Sequence, residues 1–130
     1  MAFTSIAAKS DSARSVGSFE ALSWLFMRAS AVLLLVLVLG HFVIMHVVTG
    51  VDQVNYSFVA ARFATPFWRS YDLLTLLLGL AHGLNGTRIV IDDYVHSRRW
   101  RVFWMSGLYG VGLFLTIVGS LVILTFQPQA

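Results

Sequence analysis

The chain has 130 residues, of which 58% are hydrophobic and only 12% are charged. A water-soluble domain has about 25% charged residues, so this composition excludes an ordinary soluble globule. The absence of cysteine from the sequence excludes a disulfide framework, a CxxC zinc site and a cysteine-ligated iron–sulfur cluster within this chain. The net charge of the chain is only +3, and its Lys and Arg residues flank apolar runs. This pattern favours a membrane protein and not a nucleic-acid-binding protein.

Three long apolar runs locate the membrane spans. Residues 29–51 contain no Asp, Glu, Lys or Arg, residues 73–87 form a second uncharged run, and no charged residue follows Arg101. A helix needs about 20 apolar residues to cross a bilayer. The second run ends at Arg88, whose long side chain can extend to the interface. We predict an all-α membrane protein with three transmembrane helices, at about residues 25–50, 72–95 and 102–126.

The segments outside the spans carry their own signals. Residues 1–20 form a polar, Ser- and Ala-rich tail before an anchor domain of residues 21–130. We expect the tail to rest on the membrane surface or on a partner, and the first helix to begin near Ser18, a favoured N-cap residue type. A signal peptide does not fit, because its apolar core has only about 7–15 residues. Residues 55–64, in the first loop, predict a short interfacial helix.

Basic residues predict the orientation, because cytoplasmic loops carry an excess of Lys and Arg. The N-terminal segment and the second loop together contain Lys9, Arg14, Arg28, Arg98, Arg99 and Arg101. The first loop contains only Arg62 and Arg69. We therefore predict that the N-terminus is cytoplasmic and that the C-terminus lies outside.

Polar side chains within the spans are candidates for chemistry, because they are costly in lipid. His82 shares one helix face with Gly79, Gly83 and Gly86. An imidazole among glycines can ligate a haem iron while the macrocycle approaches the backbone. The alternative is a GxxxG helix-packing motif, with His82 in an interhelical hydrogen bond.

Two further histidines lie on the first span. His41 lies about 20 Å along the first span from Arg28, and His82 lies about 18 Å along the second span from Tyr94. The two predicted depths match, so a haem site with both ligands from this chain is sterically conceivable. His46 lies nearer the outer face. The alternative for both residues is hydrogen bonding between helices or at the interface.

A second polar group is predicted at the inner end of the second span. Asp93 and Tyr94 end this span, and Arg28 is expected at a similar depth on the first span. A phenol can donate to the carbonyl of a lipid-soluble compound, and a cation can stabilise the negative charge that develops during its reduction. The alternative is an ordinary membrane interface with an aromatic belt.

The stretch HGLNGTRIVIDDY, from His82 to Tyr94, resembles the signature of the D-type hydrophobic membrane anchor subunits of succinate dehydrogenase. In that family an Asp-Tyr pair follows a haem-ligating histidine by eleven and twelve residues, as Asp93 and Tyr94 follow His82 here. The run RASA, from Arg28, resembles the Arg-Ala-(Ser/Thr)-Ala run of the family. The family also has three spans and an inside N-terminus, and the resemblance covers about residues 20–126.

The resemblance implies roles for four residues. His82 would be one axial ligand of a b-type haem, whose other ligand is a histidine of the partner anchor subunit, so that His41 would not be needed. Tyr94 would bind the carbonyl of a quinone, ubiquinone or menaquinone, with Asp93 supporting that site. Arg28 would lie near a haem propionate and the quinone pocket.

The implied function is that of the membrane-anchor subunit of succinate:quinone oxidoreductase in the bacterial cytoplasmic membrane. The implied partners are a C-type cytochrome b anchor, an iron–sulfur subunit and a flavoprotein subunit. This chain has neither a flavin fingerprint nor cysteines, so it is not expected to be catalytic alone. We expect its polar midplane residues to need the second anchor chain as a hydrogen-bonding partner. A fumarate reductase anchor, a non-redox structural or transport subunit, and a trimer of complexes stay open.

Overall fold

The computed structural model describes residues 2–127, with side chains from residue 17 onward. Four α-helices follow one another, and no strand occurs in this described part: α1 (Ala2–Phe42), α2 (Tyr56–Phe63), α3 (Pro66–Tyr94) and α4 (Arg98–Thr125). Three helical segments are long and apolar enough to cross a membrane, namely Gly17–Val48, Pro66–Tyr94 and Arg98–Thr125. The prediction of an all-α protein with three membrane-spanning helices is confirmed.

The first helix begins much earlier than expected. α1 runs through Ser18, so the prediction that Ser18 caps its N-terminus is wrong. Residues 2–16 contain neither proline nor glycine, the two residue types that disfavour a helix most. The predicted contact of the tail with the membrane surface or a partner concerns side chains outside the described residues and stays a prediction.

The connection from α1 to α3 is built from short local structures. α1 continues into a π-helical segment, Val43–Val48, and Gly50 then reverses the chain with a φ of 77°, a conformation that favours glycine. The side chain of Asn55 accepts a hydrogen bond from the backbone N–H of Phe58 at 3.0 Å and so caps α2. α2 confirms the predicted short helix in the first loop.

α3 begins at Pro66, earlier than the predicted start near residue 72. Proline is favourable in the first turn of a helix, because its N–H would have no intrahelical partner there. α1 and α4 each pack mainly against α3. On α4, a Cβ built on Gly112 or Gly119 would lie 2.6 Å from a leucine methyl group of α3, so these glycines provide the space that Leu84 and Leu76 fill.

Most of the large apolar side chains face outward. Val36 on α1 is 65% exposed and Phe114 on α4 is 63% exposed, as suits helices that are covered by lipid or by other subunits. The two ends of the bundle differ. One end carries α2 and is called the α2 end below. The other carries the α3–α4 connection with Arg98, Arg99 and Arg101, and is called the basic end.

Candidate functional site

His82 lies near the middle of α3 and faces α1. Its Nδ1 is 2.7 Å from the Oγ of Ser30, which is only 3% exposed. The same hydroxyl is 2.6 Å from the carbonyl oxygen of Phe26 on its own helix. The interhelical hydrogen bond considered as the alternative role of His82 is therefore present. It occupies one ring nitrogen, and within the described part of the chain Nε2 has no hydrogen-bond partner.

The three glycines near His82 have different surroundings. A Cβ on Gly79 or Gly86 would lie 3.9 or 3.4 Å from a side chain of α1, so these two positions allow α1 to approach. A Cβ on Gly83 would have no other group of the described chain within 4 Å. The predicted glycine face is thus used only in part for packing within this chain, and the backbone next to His82 is accessible at Gly83.

Polar contacts fix the register of the antiparallel helices α1 and α3. They pair Ser23 with Asn85, Ser30 with His82, and His41 with Asp72. Asp72 and His82 are ten residues apart, or about 15 Å at 1.5 Å per residue. His41 therefore lies far from the level of His82, and the expectation that the two histidines share a depth is wrong. The count from Arg28 failed because Arg28 is not at the edge of the helix.

The same register separates the residues expected to form one inner group. Arg28 lies on α1 between the levels of Asn85 and His82, whereas Tyr94 is nine residues beyond Asn85, about 14 Å along α3. The expectation that Arg28 and Tyr94 share a depth is therefore wrong. The Arg28 guanidinium stacks on the ring of Trp24 at 4.0 Å, and Tyr94 is 79% exposed at the end of α3.

A cavity of about 640 Å³ opens between α1 and α3 near the basic end. Asp93 belongs to its lining, which also includes Phe19, Trp24, Met27, Arg88 and Asp92. Neither Arg28 nor Tyr94 belongs to the residues that line it. Of the sequence-predicted quinone residues, only Asp93 thus lines this cavity.

Sequence reasoning missed a polar network beside this cavity. The Asn85 amide donates to Ser23 Oγ at 2.9 Å, and Arg88 Nε donates to Asn85 Oδ1 at 3.3 Å. The Arg88 guanidinium also lies 5.6 Å from the centre of the Phe19 ring and 3.9 Å from Asp92. Arg88 therefore reaches across to α1, and its predicted extension to the interface stays a prediction. Two polar residues inside apolar runs, Ser23 and Asn85, were the available signal.

A second polar cluster joins the helices at the α2 end. Arg62 of α2 donates to both carboxylate oxygens of Asp72, at 3.1 and 2.9 Å, and its guanidinium lies 4.2 Å from the ring centre of Trp68. His41 Nδ1 is 3.5 Å from the same carboxylate. The Arg62 and Asp72 side chains are only 6% and 13% exposed. We call His41, Arg62 and Asp72 the α2-end cluster.

Arg69 completes the polar structure of that end. Its guanidinium donates to the carbonyl oxygens of Phe63, Leu124 and Phe126, at 2.8, 3.1 and 2.7 Å. It thereby binds carbonyl groups that the C-terminus of α4 leaves without helical partners. Among the described side chains, no buried nitrogen or oxygen lacks a hydrogen-bond partner. The expectation that the midplane polar groups need a second chain as hydrogen-bonding partner stays a prediction, because Nε2 of His82 is left without a partner within the described chain.

The fold and the site define a class: a three-span helical membrane protein with one imidazole nitrogen engaged between its first two spans and the other left free. Residues 8–123 match the sequence profile of the succinate dehydrogenase/fumarate reductase transmembrane subunits. The chain is also 35% identical over 116 residues to the succinate dehydrogenase hydrophobic membrane anchor subunit of Archaeoglobus fulgidus, across 82% of this chain and 97% of that protein.

This chain therefore belongs to the family of succinate dehydrogenase/fumarate reductase transmembrane subunits. The resemblance found in the sequence is confirmed. Membership makes the chain an integral membrane protein and an anchor of an oxidoreductase complex, complex II, in which it associates with catalytic subunits.

Proposed function

We propose that this chain is the membrane-anchor subunit of a succinate:quinone oxidoreductase, and that His82 supplies one axial ligand to a b-type haem. The observation that carries the proposal is the position of the His82 ring. Nδ1 is held by Ser30, Nε2 has no partner within the described chain, and the backbone at Gly83 is open beside it. An imidazole held by one nitrogen is the usual arrangement of a histidine that ligates a metal with the other.

The second ligand is assigned to a histidine of the partner anchor subunit. His41 lies about 15 Å from the level of His82 and contacts Asp72. The exposed apolar side chains of α1 and α4 provide surface for a second membrane chain. A haem with two histidine ligands supplies one-electron transfer or storage when it is bound. Arg28, placed by the register close to the His82 level, is assigned to a haem propionate.

The quinone is assigned to the basic end. Tyr94 is exposed in the last turn of α3, where its phenol can donate to a quinone carbonyl at the contact with other subunits. Asp93 lines the neighbouring cavity and supports this site. Arg28 lies too far along the bundle to share this contact directly.

The sidedness follows from the same assignment. The basic end, with Arg98, Arg99 and Arg101 exposed, is assigned to the cytoplasmic side of a bacterial membrane, where the iron–sulfur and flavoprotein subunits would dock. This chain contributes docking surface, one haem ligand and part of a quinone site. The absence of cysteine assigns the iron–sulfur clusters to a partner subunit, and the absence of a flavin fingerprint assigns succinate oxidation to another.

The test is the absorption spectrum of the purified complex. The wild-type complex is expected to show low-spin b-type haem, and His82→Ala is expected to lose it while the membrane spans still insert. His41→Ala is the matched control and is expected to retain the haem. Loss of haem in both variants would assign both ligands to this chain. A haem-free wild-type complex would favour a non-redox structural or transport subunit.

A further inference from the structure

Ser30 is the most buried polar residue among those described, and its hydroxyl lies between three groups. It is 2.6 Å from the Phe26 carbonyl oxygen, 3.3 Å from the Met27 carbonyl oxygen and 2.7 Å from His82 Nδ1. The first two contacts are within α1, and the third crosses to α3. The run that contains Ser30 was used only as a sequence signature, and this contact gives the residue a role of its own.

The direction of the Ser30 hydroxyl proton determines which ring nitrogen of neutral His82 carries a proton. A hydroxyl has one proton to donate, and a carbonyl oxygen can only accept. If that proton pointed to His82, two oxygen atoms would face each other at 2.6 Å with no proton between them, which is repulsive. The favourable arrangement is donation to Phe26, and Ser30 Oγ then accepts the N–H of His82 Nδ1. Neutral His82 is thereby held with its proton on Nδ1.

We propose that Ser30 is a positioning residue for the haem ligand. It holds the His82 proton on Nδ1 and fixes the ring orientation, so that the lone pair of Nε2 is presented to the iron. The inference rests on the proposed haem function. A hydrogen-bond acceptor on the far nitrogen also makes an imidazole a stronger donor to its metal. Ser30 is therefore expected to stabilise the ferric state and to lower the midpoint potential of the haem.

The structure offers a matched control for this role. Ser23 lies on the same helix and also bonds across to α3, where its Oγ accepts from Asn85 at 2.9 Å. Removing either hydroxyl removes one polar contact between α1 and α3. Only the contact of Ser30 involves the histidine. A difference between the two variants therefore separates ligand positioning from general helix packing.

The experiment uses the whole complex with Ser30→Ala, Ser30→Thr, Ser23→Ala or His82→Ala. Haem per complex and the haem midpoint potential are measured, with haem added back where the content is low. Ser30→Ala is expected to weaken haem retention by about 10–100-fold, the usual effect of losing a partner of a metal-ligating histidine. The haem that it binds is expected to have a raised potential. Ser30→Thr keeps the hydroxyl and is expected to retain both wild-type values, as is Ser23→Ala.

The outcomes separate this inference from the assignment on which it rests. Haem retained in His82→Ala would overturn the ligand assignment itself. Haem lost in His82→Ala but unchanged in content and potential in Ser30→Ala would overturn only the role of Ser30. Equal changes in Ser30→Ala and Ser23→Ala, or an equal loss in Ser30→Thr, would make the contact one of packing and would also overturn that role.

Discussion

Two polar regions lie along the contact between α1 and α3, and they differ in how completely the chain occupies their polar groups. In the α2-end cluster, both oxygens of Asp72 are bound by Arg62, and His41 approaches the same carboxylate. At the midplane, Ser30 binds one nitrogen of His82, and the second has no partner in the described chain. The buried ion pair between Arg62 and Asp72 is complete within the chain, whereas the Nε2 of His82 is left without a partner.

The difference indicates separate tasks for the two regions. Buried polar groups in a membrane are costly, so each needs a partner or a function. The α2-end cluster joins three elements of the fold with a buried ion pair and is expected to stabilise them. His82 has a hydrogen bond at Nδ1 that orients the ring, while Nε2 stays available, as expected for a metal ligand. Variants that affect stability and haem retention separately can therefore test this division.

The largest expected effect on stability is at Arg62. Arg62→Ala leaves the Asp72 carboxylate buried without its bidentate partner, and breaking a buried pair in this way costs about 3–5 kcal/mol. Thermal or denaturant unfolding of the complex in detergent measures the loss. The haem spectrum of the complex that stays folded is expected to be unchanged. Equal stability of Arg62→Ala and wild type would show that the α2-end cluster does not hold the bundle together.

The span count could be predicted because hydropathy is a property of each segment by itself. The register could not, because it depends on which side chains of α1 meet those of α3. Counting from Arg28 placed His41 at the level of His82 and Arg28 at the level of Tyr94, and the contacts correct both. Among the site residues, His82 was predicted to be a haem ligand from its glycine neighbours and from the family resemblance, and that role stays a prediction.

The partners of the charged residues were also beyond sequence reasoning. Arg62 and Arg69 were counted only as loop charges that set the orientation. In the structure, Arg62 binds a carboxylate ten residues away, and Arg69 binds carbonyl groups near the end of α4. The first contact requires α2 to fold back onto α3, and the second depends on how the ends of α3 and α4 align. A local pattern of residues does not encode either geometry.

The second prediction concerns a substitution that lowers quinone reduction and leaves stability unchanged. Tyr94 is 79% exposed, so Tyr94→Phe is expected to leave folding and haem content unchanged. It removes a hydrogen bond that strengthens as the quinone oxygen gains charge, at a cost of about 1.5–3 kcal/mol. This corresponds to a loss of about 10–100-fold in quinone reduction. Succinate oxidation with an artificial acceptor that takes electrons from the soluble subunits is the control and is expected to stay normal.

The third prediction uses two glycines of neighbouring helices. A Cβ on Gly83 would enter open space, whereas a Cβ on Gly112 would lie 2.6 Å from Leu84. Gly83→Ala is expected to lower haem retention with little change in stability, because the macrocycle is assigned to that side of His82. Gly112→Ala is expected to lower stability by about 1–3 kcal/mol, the usual cost of overpacking. Haem content and unfolding are measured on both variants, and the opposite pattern would place the haem elsewhere.

The smallest expected effect tests the packing of α1 against α3 near the α2 end. The Tyr71 hydroxyl donates to the carbonyl oxygen of Leu37, and a Cβ on Gly40 would lie 2.9 Å from that hydroxyl. Tyr71→Phe removes one hydrogen bond, so it is expected to cost about 0.5–1.5 kcal/mol. Gly40→Ala is expected to cost about 1–3 kcal/mol in the wild type, because the new methyl group displaces the hydroxyl.

Combining the two substitutions turns this contact into a double-mutant cycle. Gly40→Ala is expected to cost less in the Tyr71→Phe background, because the atom that opposes the methyl group is gone. Residues in direct contact show coupling of about 0.5–3 kcal/mol in such cycles. Unfolding of the wild type, both single variants and the double variant measures the coupling. Additive costs would mean that the helices do not approach each other here as the structure has them. Haem retention is expected to stay constant across all four proteins, because this contact lies about as far along α3 from His82 as the α2-end cluster does.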